Sequence, residues 1–258
     1  MKYIRFIQLA LSHPSWAFWL AKEVLSLRLC DRDDYRHRAR LHEYDEYLTS
    51  PDKAIADITQ FPFPGEVYLA KVSSISVLSQ SESNCSSIPV EWNCSPEFAL
   101  IIYTICRMIR PLLIIETGVA QGRSSFYILQ ALHENGLGHL YSIDLPMCLK
   151  AISDIGCLVP KHLRSRWTLR FGVSEYILPK ILREVASPVD LFICDSSHTY
   201  RVQLREYKYA LSSLRPGGVL ISDDVGNDAF MEIAEAYHVT PLIVPQSKEL
   251  RIGILVKP

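Results

Sequence analysis

The chain has no excess of charge of either sign. Its 27 basic and 28 acidic residues leave −1 over 258 positions. A dedicated nucleic-acid binder, which needs a basic face, is excluded on that balance. It also lacks a long apolar run. The longest stretch free of Lys, Arg, Asp and Glu, from Phe6 to Ala21, contains His13 and Pro14 and falls short of the ~18–20 residues of a membrane span. No CxxC pair occurs, which argues against a zinc ribbon. The seven cysteines, odd in number and scattered from Cys30 to Cys194, read as reduced thiols of a cytosolic protein, although Cys85 and Cys94 are close enough in sequence to pair. There is no GxGxxG fingerprint, no phosphate-binding GxxxxGK[ST] loop and no internal repeat. With 48% hydrophobic and 21% charged residues, 11 Gly and 15 Pro, the composition is globular rather than disordered, collagen-like or coiled-coil.

The first third of the chain carries little motif content. No small-x-small cleavage site precedes Lys22 and Glu23, so residues 1–29 are expected to form two short helices broken at Pro14. Trp16, Phe18, Trp19 and Leu20 crowd together there. Such a face either packs on the main domain or a second copy of the chain, the favoured reading, or makes peripheral contact with a membrane. The mixed charges from Cys30 to Tyr47 read as a solvated helix face, and the Ser-rich stretch from Val72 to Asn93 as a loop beside a site. The organisation expected is an extension over residues 1–94, serving as a cap over a site or as an oligomer contact, and a main domain over 95–258.

From Ser95 onward, strand-length apolar runs alternate with helical periodicity. The runs are Leu112–Ile115, Leu140–Ile143, Trp167–Phe171, Val189–Cys194, Val219–Ile221, Pro241–Val244 and Ile252–Val256. A helix with Leu204, Tyr207, Leu211 and Leu214 on one stripe is expected to stop at Pro216-Gly217-Gly218. This alternation predicts an α/β fold: a seven-stranded, mostly parallel, Rossmann-like sheet with helices on both faces. Only Gln246 to Leu250 separates the last two strands, too little for a crossover, so they should form an antiparallel hairpin.

In an open sheet of this kind ligands bind beyond the C-terminal strand ends. The first strand leads into Glu116-Thr117-Gly118-Val119-Ala120-Gln121-Gly122-Arg123-Ser124-Ser125, where two glycines permit a tight turn and close approach of a ligand to the backbone. The loop opens a helix whose free amides can hold an anion. The second strand ends in Asp144, 22 positions past Gly122, placed either to accept from ribose hydroxyls or to cap the next helix. The third ends in Gly172-Val173-Ser174, the fourth in Asp195-Ser196-Ser197-His198, the fifth in Asp223-Asp224. Three carboxylates at neighbouring strand ends would repel one another unless a cation such as Mg²⁺, a proton or an arginine compensates, or else they cap helices and face water.

These residues resemble class I S-adenosylmethionine-dependent methyltransferases, over Ser95 to Val225 at the level of motifs. The resemblance implies that Glu116, Gly118, Gly122, Ser124, Ser125, Asp144, Gly172, Ser174 and Asp195 surround S-adenosylmethionine. Within the family, the segments Gly172 to Pro179 and Pro216 to Asp224 are similar to those of the catechol O-methyltransferase-like group. That likeness implies a divalent metal, Mg²⁺ or another, on Asp195, Asp223 and Asp224. The group usually has Asp-Asn where this chain has Asp223-Asp224. It has a lysine where this chain has His198, a residue suited to act as general base near neutral pH or to orient Asp195. The string Asp195-Ser196-Ser197-His198-Thr199-Tyr200 is similar to that of a subfamily acting on sugars of natural products. The expectation is therefore a cytoplasmic O-methyltransferase, acting on a small hydroxylated acceptor and forming a homo-oligomer.

Overall fold

The computed structural model describes residues 44–60, 87–146, 149–246 and 250–258. The expected N-terminal helices, the membrane reading of residues 1–29, most of the charged stretch and most of the Ser-rich loop lie outside them.

The described chain begins with helix α1 (Pro51–Thr59), capped by the Ser50 hydroxyl, which accepts from the Lys53 amide. Helix α2 (Pro96–Ile109) starts the same way: Ser95 caps it through the Phe98 amide and Pro96 sits in the first turn, where its missing N–H costs nothing. Then follow β1 (Leu113–Thr117), α3 (Arg123–Asn135), β2 (His139–Asp144), α4 (Leu149–Asp154), β3 (Trp167–Phe171), α5 (Ser174–Val185), β4 (Val189–Cys194), α6 (Tyr200–Ser213), β5 (Leu214–Ser222), α7 (Ala229–Ala236), β6 (Leu242–Pro245) and β7 (Arg251–Val256).

The seven strands form one sheet in the order β3-β2-β1-β4-β5-β7-β6, parallel except that β7 runs antiparallel to both neighbours. The order reverses direction at β1 and β4, so the crevice above them is where such a sheet binds ligands. Both faces are covered. Ile114, Leu191 and Ile193 pack with α2 and α3 on one side; their neighbours Ile115 and Phe192 pack with α5, α6 and α7 on the other. That two-sided burial is why the strands are continuous aliphatic runs rather than alternating ones. Asp190 fastens the start of β1 to β4 by accepting from the Leu112 and Leu113 amides at 2.8 and 2.9 Å.

Two expectations are corrected. Helix α6 ends at Ser213, and Pro216-Gly217-Gly218 lies within β5 rather than between helix and strand. The strand survives there because the Gly217 amide donates to the Lys257 carbonyl and the Lys257 amide to Gly218, carrying the pairing across the glycines. Nor are all thiols reduced: Cys157 is disulfide-bonded, while Cys94, Cys106 and Cys194 are buried and free, so Cys85 and Cys94 do not pair. Among the described residues no helix is long and apolar enough to cross a membrane.

Candidate active site

A cavity of about 510 Å³ opens above the C-terminal ends of β1, β2, β3, β4 and β5. That is the size of a small-molecule site. Of the residues expected to bind cofactor, metal or acceptor, Gly118, Asp144, Gly172, Ser174, Asp195, His198 and Asp223 line it. Glu116, Gly122, Ser124, Ser125 and Asp224 do not.

The glycine loop is shaped by packing. Gly118 has φ +85, and a Cβ there would lie 1.8 Å from the Asp195 carbonyl oxygen. Gly122, at φ +96, would clash with the Gly156 Cα at 2.8 Å. Both are glycines because neighbouring backbone leaves no room, which draws the end of β4 hard against the loop. Asp144 braces the same loop: one of its carboxylate oxygens accepts from the Val119 and Ala120 amides at 2.8 and 2.9 Å. Asp144 therefore has a structural duty toward the loop while its side chain faces the cavity.

Glu116 faces inward. It is fully buried, and its oxygens accept from the hydroxyls of Ser124, Ser125 and Ser142, each at 2.6 Å. Burial pushes its carboxyl above the usual range, and the three hydroxyls pull it back. Ser124 and Ser125 thus tie the first turn of α3 to β1 and β2, with an acidic group near the positive end of the helix dipole.

The acid cluster divides. Asp195 and Asp223 both face the cavity. Burial, and then the charge of Asp223, holds the Asp195 carboxyl well above the ordinary carboxylate range. Burial also raises Asp223, with His198 pulling the other way. The His198 Nε2 lies 3.8 Å from Asp195 Oδ1, with the imidazole about a third exposed at 37% and the carboxylate side chain nearly covered at 11%. Asp224, the expected third ligand, instead takes a left-handed backbone at φ 43, and its carbonyl accepts from Gln203 Nε2. Among the described residues no group of three His, Cys, Asp or Glu side chains is assembled to hold a metal ion. The chemistry of the remaining pair suits a hard cation through two carboxylates, with substrate oxygens and water left to complete the shell.

One wall comes from the end of the stretch expected to be a loop beside a site. Ile88, Glu91, Trp92, Asn93 and Cys94 line the cavity from the segment before α2. Gln121 of the glycine loop fixes this segment, accepting from Asn93 Nδ2 and donating to the Ile88 carbonyl, both at 2.8 Å. The Asn93 side-chain oxygen is buried without a protein partner, and Trp92 is 55% exposed. The Ser95-Pro96 helix start sets these residues at the rim.

The cavity fits S-adenosylmethionine by its own chemistry. Val119, Ile143, Ala151 and Ile155 offer an apolar wall for a base, while Asp144, Asp195, Asp223 and Glu91 make a negative lining that suits a sulfonium cation.

Comparison with known proteins points the same way. Residues 115–225 match the family model described as a methyltransferase domain. A catechol O-methyltransferase from Niastella koreensis is 24% identical over 184 residues, covering 71% of this chain and 76% of that protein. The fold is shared with the O-methyltransferase from Bacillus cereus solved with S-adenosylhomocysteine (TM-score 0.54, 19% identity, 80% of this chain and 96% of that one). It is also shared with the O-methyltransferase TomG from Streptomyces achromogenes, solved with S-adenosylmethionine (TM-score 0.53, 19% identity, 76% and 100%). The fold is that of the Rossmann-like methyltransferases. Residues 115–225 carry a methyltransferase domain, and the chain resembles the class I S-adenosylmethionine-dependent methyltransferases, the catechol O-methyltransferase-like group among them.

Proposed function

We propose that the protein transfers a methyl group from S-adenosylmethionine to a hydroxyl of a small molecule, such as a sugar or natural-product intermediate. The observation that carries this reading is the convergence of Asp195, Asp223 and His198 on the cavity that Asp144 and the glycine loop also line. Bound S-adenosylmethionine supplies an electrophilic methyl on a sulfonium. Gly118, Asp144, Gly172 and Ser174 border its place, with Asp144 offering its remaining carboxylate oxygen to the ribose. A divalent cation, when bound on Asp195 and Asp223, supplies Lewis acidity that lowers the pKa of an acceptor hydroxyl.

This chain's own groups do the rest. His198 Nε2 takes the acceptor's proton, and the neighbouring Asp195 carboxylate stabilises the imidazolium that results. The Asp195–Asp223 pair orients the hydroxyl in line with the methyl, and much of the rate comes from that positioning. Trp92, exposed at the rim, offers a flat face to a ring of the acceptor.

Incubation with methyl-labelled S-adenosylmethionine and a panel of sugar and phenolic hydroxyl acceptors tests the proposal, with and without EDTA. Label should enter an ether oxygen, and EDTA should slow it. Label on nitrogen or carbon acceptors alone would refute the oxygen assignment, and indifference to EDTA would refute the metal. Two variants sharpen the roles. Replacing His198 with Gln should lower kcat about a hundredfold or more and remove the acidic limb of its pH profile. Trp92→Ala should raise the acceptor KM severalfold and leave the KM for S-adenosylmethionine unchanged; equal effects on both would place the indole elsewhere.

A further inference from the structure

Helix α6 buries two polar side chains one turn apart, Gln203 at 3% and Glu206 at 1% exposure. Residues at this spacing share a helix face. Neither contributes hydrophobic burial, and an uncompensated carboxylate there would be costly. The two attend to different parts of the site.

Glu206 Oε2 accepts from the Thr117 hydroxyl at 2.7 Å and Oε1 from the Ser196 hydroxyl at 2.8 Å. The Ser174 hydroxyl donates to the same carboxylate. Thr117 ends β1, Ser174 opens α5 just past β3, and Ser196 follows β4. All three line the cavity; Glu206 does not. In the sheet order, β2 and β1 stand between β3 and β4, so no ladder pairs β3 with β4 directly. The Glu206 carboxylate links the residues that follow the two strands in one step.

Gln203 attends to the acid side. Its Nε2 donates to the Asp224 carbonyl at 3.1 Å, and its Oε1 accepts from Asn227 Nδ2, which also donates to the His198 carbonyl at 3.1 Å.

We infer that Glu206 is a positioning residue for the cofactor, holding Thr117, Ser174 and Ser196 in the arrangement that receives it, while Gln203 on the same helix face serves the acid loop alone. This rests on the methyltransferase reading. A merely structural Glu206 would affect stability without singling out cofactor affinity, and Gln203 is the internal control.

The test is calorimetric titration of the full chain with S-adenosylhomocysteine, beside thermal melts, for wild type, Glu206→Leu, Glu206→Gln and Gln203→Leu. Glu206→Leu should bind about tenfold weaker or worse, equivalent to about 1.4 kcal/mol. Glu206→Gln should keep most of the affinity, because serine and threonine hydroxyls can turn to accept from the amide as well as donate to it. Gln203→Leu should melt lower yet bind within about twofold of wild type, well inside one decade of affinity. Wild-type affinity in Glu206→Leu would overturn the assignment. So would weakening of the Glu206 and Gln203 variants in proportion to their lost melting temperature. If Glu206→Leu does not fold, Thr117→Val removes one anchor at constant shape; it should weaken binding severalfold, and unchanged affinity would again overturn the inference. A wild type that binds no S-adenosylhomocysteine refutes the methyltransferase reading itself, and this assignment with it.

Discussion

In metal-free buffer at neutral pH, Asp195→Asn should melt roughly 3–8 °C higher than the wild type while losing about a hundredfold or more of its methyl transfer. The reason is the acid pair. Asp195 and Asp223 face one cavity and are largely desolvated, and each penalises ionisation of the other. An amide keeps the shape of Asp195, removes the repulsion and loses the negative charge beside His198. The pH dependence has a definite sign. A carboxyl raised in the folded state holds its proton more tightly there than in the unfolded chain. Its favourable contribution is complete below the unfolded pKa and is lost as pH rises through the raised folded value. Asp195, Asp223, Glu116, Asp144 and Glu206 are all shifted this way, chiefly by burial. His139 is lowered by burial and by Arg166, so its contribution falls as the medium turns acidic through the ordinary imidazole range. Asp154 is lowered by its hydrogen bonds from Ser87, so its contribution is lost only in acid below the ordinary carboxylate range. In the milder window the five raised carboxyls outweigh His139 and make the metal-free wild type more stable in mildly acidic than in mildly alkaline buffer, and Asp195→Asn should flatten that slope. A lower melting temperature for Asp195→Asn would mean that the free protein already compensates the charge.

Gly118→Ala should be far more damaging than Gly136→Ala, though both positions have positive φ. At Gly136, φ +74, an added Cβ meets nothing within 4 Å, so only backbone strain of about 1 kcal/mol is expected. At Gly118 the same atom lands 1.8 Å from the Asp195 carbonyl, which backbone must move to relieve. The cost there is about 4 kcal/mol or more, enough to unfold a marginal domain or to detach the β4 end from the glycine loop. Urea unfolding of both variants distinguishes them; equal losses would mean that the contact at Gly118 yields freely.

The strands were legible because two-sided burial writes them as unbroken aliphatic runs. Trp167–Phe171 and Val189–Cys194 are the same in sequence and structure. The closing hairpin followed from the brevity of Gln246 to Leu250 alone. Of the α6 stripe, Tyr207, Leu211 and Leu214 are buried and Leu204 packs against the same core. The buried face is wider than the stripe, taking in Val202, Gln203, Glu206 and Ala210, and two of these are polar. Amphipathic patterning assigns polar residues to water, so the groups beneath the cavity were invisible to it. Ser124 and Ser125 follow the glycine loop directly, and the helical turn carries both hydroxyls inward to Glu116, a contact no pattern of the sequence announces. Asp224 sits beside Asp223 in sequence and does not line the cavity, yet its charge still acts on both Asp195 and Asp223. The Trp92 wall ends the stretch expected as a loop beside a site, but which of its residues face the cavity becomes visible only once Gln121 binds its segment to the glycine loop.

The most direct test of the central claim is titration of the purified wild-type chain with S-adenosylhomocysteine, with NAD as the control. One site of micromolar affinity, weakened in Asp144→Ala, and no heat from NAD is the expected result. Binding of NAD, or no binding of either, would contradict the assignment of this cavity to S-adenosylmethionine.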